Sequence, residues 1–219
     1  MPVLNEAGIV DDTLATLQEL RDKQHEVILV DGGSSDGTAD IARPCVDHVL
    51  VCRKGRAQQM NAGAGRARGD VLLFLHADTL LPESADALII DALQNPRYVW
   101  GRFDVRFPRA SIALRTVALC MNLRSRLTGI ATGDQAIFVT RAAFEPLRGF
   151  ADIPLMEDVE FTRRLKQLSA PVCLRAKVTT SSRRWQNQGV FATVLKMWWL
   201  RWRYFLGASP HRLVKHYYP

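Results

Sequence analysis

Val27-Ile28-Leu29-Val30-Asp31-Gly32-Gly33-Ser34-Ser35-Asp36-Gly37-Thr38 decides the fold. An apolar run rich in β-branched residues breaks into Asp, Gly and Ser and then opens a helix, the pattern of a strand–turn–helix unit. The glycines let backbone approach a ligand closely, and the acids accept hydrogen bonds. A ligand at the carboxyl end of the strand is expected. An ordinary Gly/Ser/Asp turn capped by Ser35 or Asp36 is the alternative reading of this stretch alone. No Gly-Lys-Ser/Thr follows, so it is not a phosphate loop.

Working outward, further apolar runs lie at Val46–Val51 and Val71–Leu75, with helical segments expected near Asp36–Ala42 and Gln58–Ala67 between them. This alternation predicts an α/β chain with a mostly parallel central sheet flanked by helices. Helices are expected over Glu83–Leu93, Ile112–Leu127 and Met156–Leu168, and strands over Tyr98–Phe107 and Ala136–Thr140. With 219 residues and no repeat or linker, one domain over 1–182 and a C-terminal extension over 183–219 are expected. Pro2-Val3-Leu4-Asn5-Glu6 reads as the mouth of a strand with only Met1 before it, so either that strand's body is supplied differently or it is expected upstream of Met1.

Three other segments carry chemistry. Leu73-Phe74-Leu75-His76-Ala77-Asp78-Thr79 is a buried strand ending abruptly in polar groups. A carboxylate there can hold Mg²⁺ or Mn²⁺ against diphosphate oxygens, so Asp78 is the metal candidate, with His76 either a second ligand or a packed strand-end histidine. Arg53-Lys54-Gly55-Arg56-Ala57-Gln58-Gln59-Met60-Asn61 is basic and amide-rich at a helix start, suited to phosphate or ribose hydroxyls. Met156-Glu157-Asp158-Val159-Glu160 gathers three carboxylates where a helix begins. One of them can act as general base on an acceptor hydroxyl, although acids at a helix N-terminus are also favoured by its dipole alone.

The formal net charge is +7, and it is unevenly placed: Glu160 is the last acid, and twelve Lys and Arg follow it. An anionic partner is expected for that third of the chain, with a plain solvated basic face as the alternative. Val190–Leu206 is an aromatic-rich amphipathic helix with Lys196, Arg201 and Arg203, suited to the headgroup boundary of an anionic membrane or to packing on the core or a second copy. No apolar stretch of roughly 18 residues is present to span a bilayer. Cys45, Cys52, Cys120 and Cys173 form no C-x-x-C pair, which points to a reducing cytoplasm, with peripheral contact on the inner membrane face.

Pro2-Val3-Leu4-Asn5-Glu6, the Val-Asp-Gly-Gly-Ser-Ser-Asp-Gly-Thr run, Gly55-Arg56 to Asn61, His76-Ala77-Asp78, Gly133-Asp134-Gln135 and Glu157-Asp158, taken in order, resemble the family-two glycosyltransferases. The resemblance covers nearly the whole chain and is closest to a small bacterial subgroup with carotenoid and lipid glycosyltransferases. It implies a GT-A fold and inverting transfer of a hexosyl group from a nucleotide-diphosphate sugar to a lipid or other hydroxyl acceptor. By resemblance, Pro2, Asn5, Glu6 and Asp31 line the base and ribose pocket. Gly33, Arg56, Gln59, Asn61, Ala77, Asp134 and Gln135 complete the donor site. Asp78 is the metal-binding acid, and Asp158, with Glu157 beside it, is the base. His76 stands where the family has the first Asp of its Asp-x-Asp element.

Two other readings compete: a sugar-phosphate nucleotidyltransferase, and a GT-A-like membrane module without turnover. Nucleic acid is not expected as a partner, since no nucleic-acid motif accompanies the basic charge.

Overall fold

The computed structural model describes residues 1–108 and 110–217. Arg109, the side chain of Arg184, and Tyr218 and Pro219 at the end of the expected extension lie outside the described residues. The chain opens with β1 (Pro2–Val3), α1 (Ala7–Thr16), α2 (Gln18–Asp22), β2 (Ile28–Asp31), α3 (Thr38–Ala42), β3 (His48–Val51) and α4 (Arg56–Arg66). β4 (Val71–Phe74), β5 (Thr79–Leu80), α5 (Ala85–Gln94), β6 (Trp100–Arg106), α6 (Ile112–Thr128), β7 (Ile137–Thr140) and α7 (Arg141–Phe144) follow. The last elements are α8 (Glu157–Leu168), β8 (Val172–Thr180), α9 (Arg183–Gln188), α10 (Val190–Phe205) and α11 (Pro210–Tyr217).

β1, β2 and β3 form a parallel sheet, as the alternating pattern predicts. The second sheet, in the order β4-β7-β6-β8-β5, is mixed: β6 and β8 run parallel, whereas β7 pairs antiparallel with both β4 and β6. The expectation that Val71–Leu75 joins a parallel sheet is therefore corrected. β7 returns from the Gly133–Gln135 turn and lies against β4 in the opposite direction. β8, a nine-residue strand, is an element the sequence reading omitted, as is α1.

A cavity of about 580 Å³ separates the two sheets, walled by Met1, Ile28, Ala64, Leu72, Phe74 and Ile89. Met1 reaches β2 there, its amine donating to the Ile28 carbonyl at 2.7 Å. Burial pushes that amine down to about 5.

Two polar devices fix the layers. Arg102, wholly buried on β6, pairs with Asp104, which also accepts from Arg126 of α6 at 2.6 Å, and Arg102 donates to the Asn122 carbonyl at 3.1 Å. Buried charges persist only when paired in this way. On α4, the Gln59 amide donates to the carbonyls of Val3 and Val30, each at 2.8 Å, joining the ends of β1 and β2. A separate apolar cluster of Leu155, Met156, Val159, Leu200, Leu213 and Tyr217 seats α10 and α11 beside the start of α8.

Candidate functional site

The turn after β2 and the segment after β1 are laced together. Asn5 Oδ1 accepts from the Ser35 amide at 2.9 Å, the Asn5 amide donates to Ser34 Oγ at 2.9 Å, and the Ala7 amide donates to Asp36 Oδ2 at 3.0 Å. Buried Asp31 accepts from the Ser34 amide at 2.9 Å and from its hydroxyl. Gly33, at φ +90°, has open space around it, so backbone is bare at the mouth of this loop. Pro2 lies in β1, at the same carboxyl end of the sheet.

Across from this loop, β4 ends in His76 and Asp78. Asp78 Oδ2 lies 3.7 Å from Arg183 Nη2, and the same guanidinium lies 3.1 Å from Glu6 Oε2. His76 Nδ1 lies 3.4 Å from Asp134 Oδ1. Gly133 is required beside it: a Cβ there would come within 2.5 Å of the His76 ring. The Gly133 amide donates to Asp158 Oδ2 at 2.9 Å, and the Val159 amide donates to Asp158 Oδ1 at 2.7 Å. One continuous set of contacts thus connects His76, Asp134, Gly133 and Asp158.

The three carboxylates of the α8 start separate by environment. Glu160 pairs with Arg164 at 2.6 Å, and Arg164 also holds the carbonyls of Leu147 and Gly149, so Glu160 braces a loop. Glu157 is buried, and that burial, followed by repulsion from Asp158, raises its carboxyl to about 7, with Arg56 and His76 opposing the rise. Asp158 is the partly exposed member of the three that reaches the Gly133 turn. A buried carboxyl raised in this way beside a more exposed one can divide acid and base roles between them. Asn5, Ala136 and Met156 all have positive φ, at 53°, 47° and 69°. Such backbone costs about 1–2 kcal/mol each in a non-glycine residue and clusters where function holds it.

Not every expected ligand contact is free to be one. Both donors of the Gln59 amide are engaged by β1 and β2 carbonyls. Asn61 donates to the Phe150 carbonyl at 2.8 Å and accepts from its amide at 2.9 Å, anchoring the loop before α8. Gln135 is buried, accepting from the Thr132 amide at 3.3 Å and donating to Ser125 Oγ at 3.0 Å. The Ala77 side chain is buried in the core, and its carbonyl accepts from Thr13 at 2.6 Å. These four shape the site from behind rather than facing a ligand. Arg56 is exposed at the start of α4, within electrostatic reach of Glu157.

Two arginines escaped the sequence reading. Arg183 bridges Glu6 and Asp78, as described. Arg124 on α6 lies close enough to Asp158 and Asp134 to feel both charges, yet its Nε and Nη2 are buried without a hydrogen-bond partner among the described residues. A cation next to the buried stripe Ala118, Asn122 and Ser125 of α6 was the available signal.

A Mg²⁺ or Mn²⁺ ion is commonly held by one or two carboxylates plus phosphate and water oxygens. Asp78 offers one partly exposed carboxylate. His76 directs Nδ1 toward Asp134, and no group of three His, Cys, Asp or Glu gathers among the described residues. This donor set suits an ion whose remaining ligands arrive with a diphosphate, not a cage made by protein alone.

The structure is an α/β domain that gathers acidic side chains at and just past the carboxyl ends of β2 and β4, where open α/β sheets hold their ligands. The model of a family described as glycosyl transferase family 2 matches residues 1–137, and the chain belongs to that family. That match speaks for the glycosyltransferase family and against the sugar-phosphate nucleotidyltransferase reading. The chain is 30% identical over 93 residues to poly-beta-1,6-N-acetyl-D-glucosamine synthase of Staphylococcus aureus, covering 40% of this chain and 23% of that enzyme. It thus spans about a quarter of the length of the curated relatives it matches. TarS 1-349 of S. aureus superposes with a TM-score of 0.67 at 18% identity, over 83% of this chain and 59% of that one. A mannosyltransferase of Pyrobaculum calidifontis, solved with GDP-Man and Mn²⁺, gives 0.58 at 21% identity, over 81% and 54%. The solved structures establish the GT-A fold.

Proposed function

We propose that the chain is an inverting glycosyltransferase that moves a hexosyl group from a nucleotide-diphosphate sugar to a hydroxyl on a lipid or similar acceptor at the inner membrane face. The observation that carries this reading is the linked set His76, Asp134, Gly133 and Asp158 just past the end of β4, two residues from Asp78, together with the open backbone of the Gly32–Ser35 loop past the end of β2. The base and ribose lie against Pro2, Asn5, Glu6, Asp31 and Gly33, and the diphosphate lies toward Asp78 and Arg56. A divalent ion held by Asp78 neutralises charge on the leaving diphosphate when it is bound. Arg124, with two unspent donors, supplies a further anion contact.

Asp158 takes the proton of the acceptor hydroxyl as its oxygen bonds to the anomeric carbon. The bond from that carbon to the diphosphate oxygen breaks, and its electron pair leaves with the nucleotide. Attack opposite the leaving group inverts configuration in one step. Glu157, protonated up to about pH 7, spares Asp158 a second adjacent negative charge in the resting site. GDP-Man and Mn²⁺ accompany the P. calidifontis enzyme, and UDP-GlcNAc accompanies TarS, which supports a donor of this class. Turnover with a nucleotide-sugar panel tests the reading: Asp158→Asn should lower kcat at least a hundredfold with donor affinity kept. Full activity in that variant would remove Asp158 from the base role.

A further inference from the structure

α10 is amphipathic in an inverted sense. Thr193 and Leu200 are buried, and Met197 and Tyr204 pack on the Leu155–Met156–Val159 cluster. The opposite face carries Phe191, Leu195, Trp198, Trp202 and Phe205 at three- to four-residue spacing, with Phe191 81% and Trp198 70% exposed. Large aromatic side chains are not left in water on this scale without a partner.

α6, which contacts α10, repeats the pattern. It buries Leu114, Ala118, Asn122 and Ser125 and exposes Leu119, Leu123 and Leu127, the last at 83%. Two neighbouring helices thus offer two apolar stripes that the fold itself does not use. Neither helix contains an acid. On α6 Arg115 is exposed, while Arg124 turns inward beside Asp158 and Arg126 pairs with Asp104; α10 carries Lys196, Arg201 and Arg203, and α11 adds Arg212 and Lys215.

We infer that the exposed stripes of α6 and α10 form one platform that lies on an anionic lipid bilayer. Charge selects this occupant over a second copy, since stacking two copies through the platform would crowd cations together with no acid on either helix to offset them. Three tryptophans on α10 suit the headgroup region, where an apolar ring with a polar N–H is at home. No helix among the described residues is long and apolar enough to cross a membrane, so the platform lies on the surface instead of spanning it.

The platform is joined to the chemistry. Met197 and Tyr204 of α10 pack on Leu155 and Met156, which lead directly into Glu157 and Asp158. Burial, together with the charges of Glu160 and Asp158, raises the Tyr204 phenol, which places it within electrostatic reach of the base. Docking on lipid therefore sets the acceptor side of the crevice relative to the bilayer. The consequence, which rests on the glycosyltransferase reading above, is that the acceptor is an amphiphile whose hydroxyl is presented at that surface.

Vesicle flotation tests the platform with three proteins: the full chain, Trp198→Glu/Trp202→Glu and Leu123→Glu/Leu127→Glu. Vesicles of phosphatidylglycerol and phosphatidylcholine should float the full chain, with a blue shift of tryptophan emission, and 0.5 M salt should weaken the binding. Either double variant should bind about tenfold or more weakly, while donor binding by calorimetry stays at the full chain's value. Absence of flotation on anionic vesicles overturns the inference. So does unchanged binding by the Leu123/Leu127 variant, because α10 alone would then suffice. Loss of a dimer by the Trp198/Trp202 variant in sedimentation, with no vesicle binding by the full chain, assigns the face to a second copy instead. Failure of donor binding in the full chain would count against the glycosyltransferase reading and leave the flotation result standing.

Discussion

Gly133→Ala tests how the site is held. A Cβ at Gly133 would stand 2.5 Å from both Cε1 and Nε2 of His76, whereas carbon contacts rest near 3.5–4.0 Å. About 1 Å of movement is needed, and the ring and the loop must share it. The loop cannot take all of it, because the Gly133 amide already donates to Asp158 Oδ2 at 2.9 Å and a further ångström leaves no hydrogen bond. Overpacking of this kind costs about 1–3 kcal/mol of stability, and about 1 Å of misplacement of a reacting group can cost about a hundredfold in rate. The expected variant is folded, melts a few degrees lower, and loses kcat far more than donor affinity. Nucleotide release in the presence of acceptor gives kcat, and calorimetry gives donor affinity. His76→Ala in the same chain makes room for the new methyl, so the double variant should be less destabilised than the two single losses summed. Wild-type kcat for Gly133→Ala, or simple additivity with His76→Ala, would refute the reasoning.

Other outcomes follow from the same structure. Asp104→Asn leaves buried Arg102 without its counter-charge and should cost about 3–5 kcal/mol in urea unfolding. Glu157 has its carboxyl raised from 4.5 to about 7, so its contribution is fully present below about pH 4.5 and is lost as pH rises through about 7. Wild-type stability attributable to it should fall across that window. Glu157→Gln should remove that slope and be more stable than wild type at pH 8 by up to about 3 kcal/mol; equal slopes in melts at pH 5 and pH 8 would contradict this. Arg124→Met removes two unpartnered buried donors, so it should hold or raise Tm while lowering kcat/KM about tenfold or more; unchanged kinetics would return Arg124 to a packing role.

Much of the fold was legible because its signals are local. The run through Val30 to Thr38 announces β2 and the loop beyond it, and the abrupt end of Val71–Leu75 in His76 and Asp78 marks a sheet edge. The partners were not local. β4 pairs antiparallel with β7, a relation between segments more than sixty residues apart that apolar periodicity does not encode. β8 hid because Arg175 and Lys177 alternate outward within it and read as part of a basic tract.

The site was half legible for a related reason. A sequence names a side chain's chemistry but not its direction. Gln59, Asn61 and Gln135 are amides suited to sugar hydroxyls, and all three turn toward backbone or side-chain groups of the scaffold. Arg124 and Arg183 belong to no motif, and it is folding that carries α6 and α9 to the crevice.

The central claim is that the crevice between the Gly32–Ser35 loop and Asp78 holds a nucleotide-diphosphate sugar with a divalent ion. Titration of UDP-, GDP- and TDP-sugars into the purified protein, with and without Mn²⁺, against an Asp78→Ala control, tests it most directly. Binding of one donor that requires the metal and disappears in Asp78→Ala is the predicted result; donor binding indifferent to both metal and Asp78, or no donor binding at all, would contradict it.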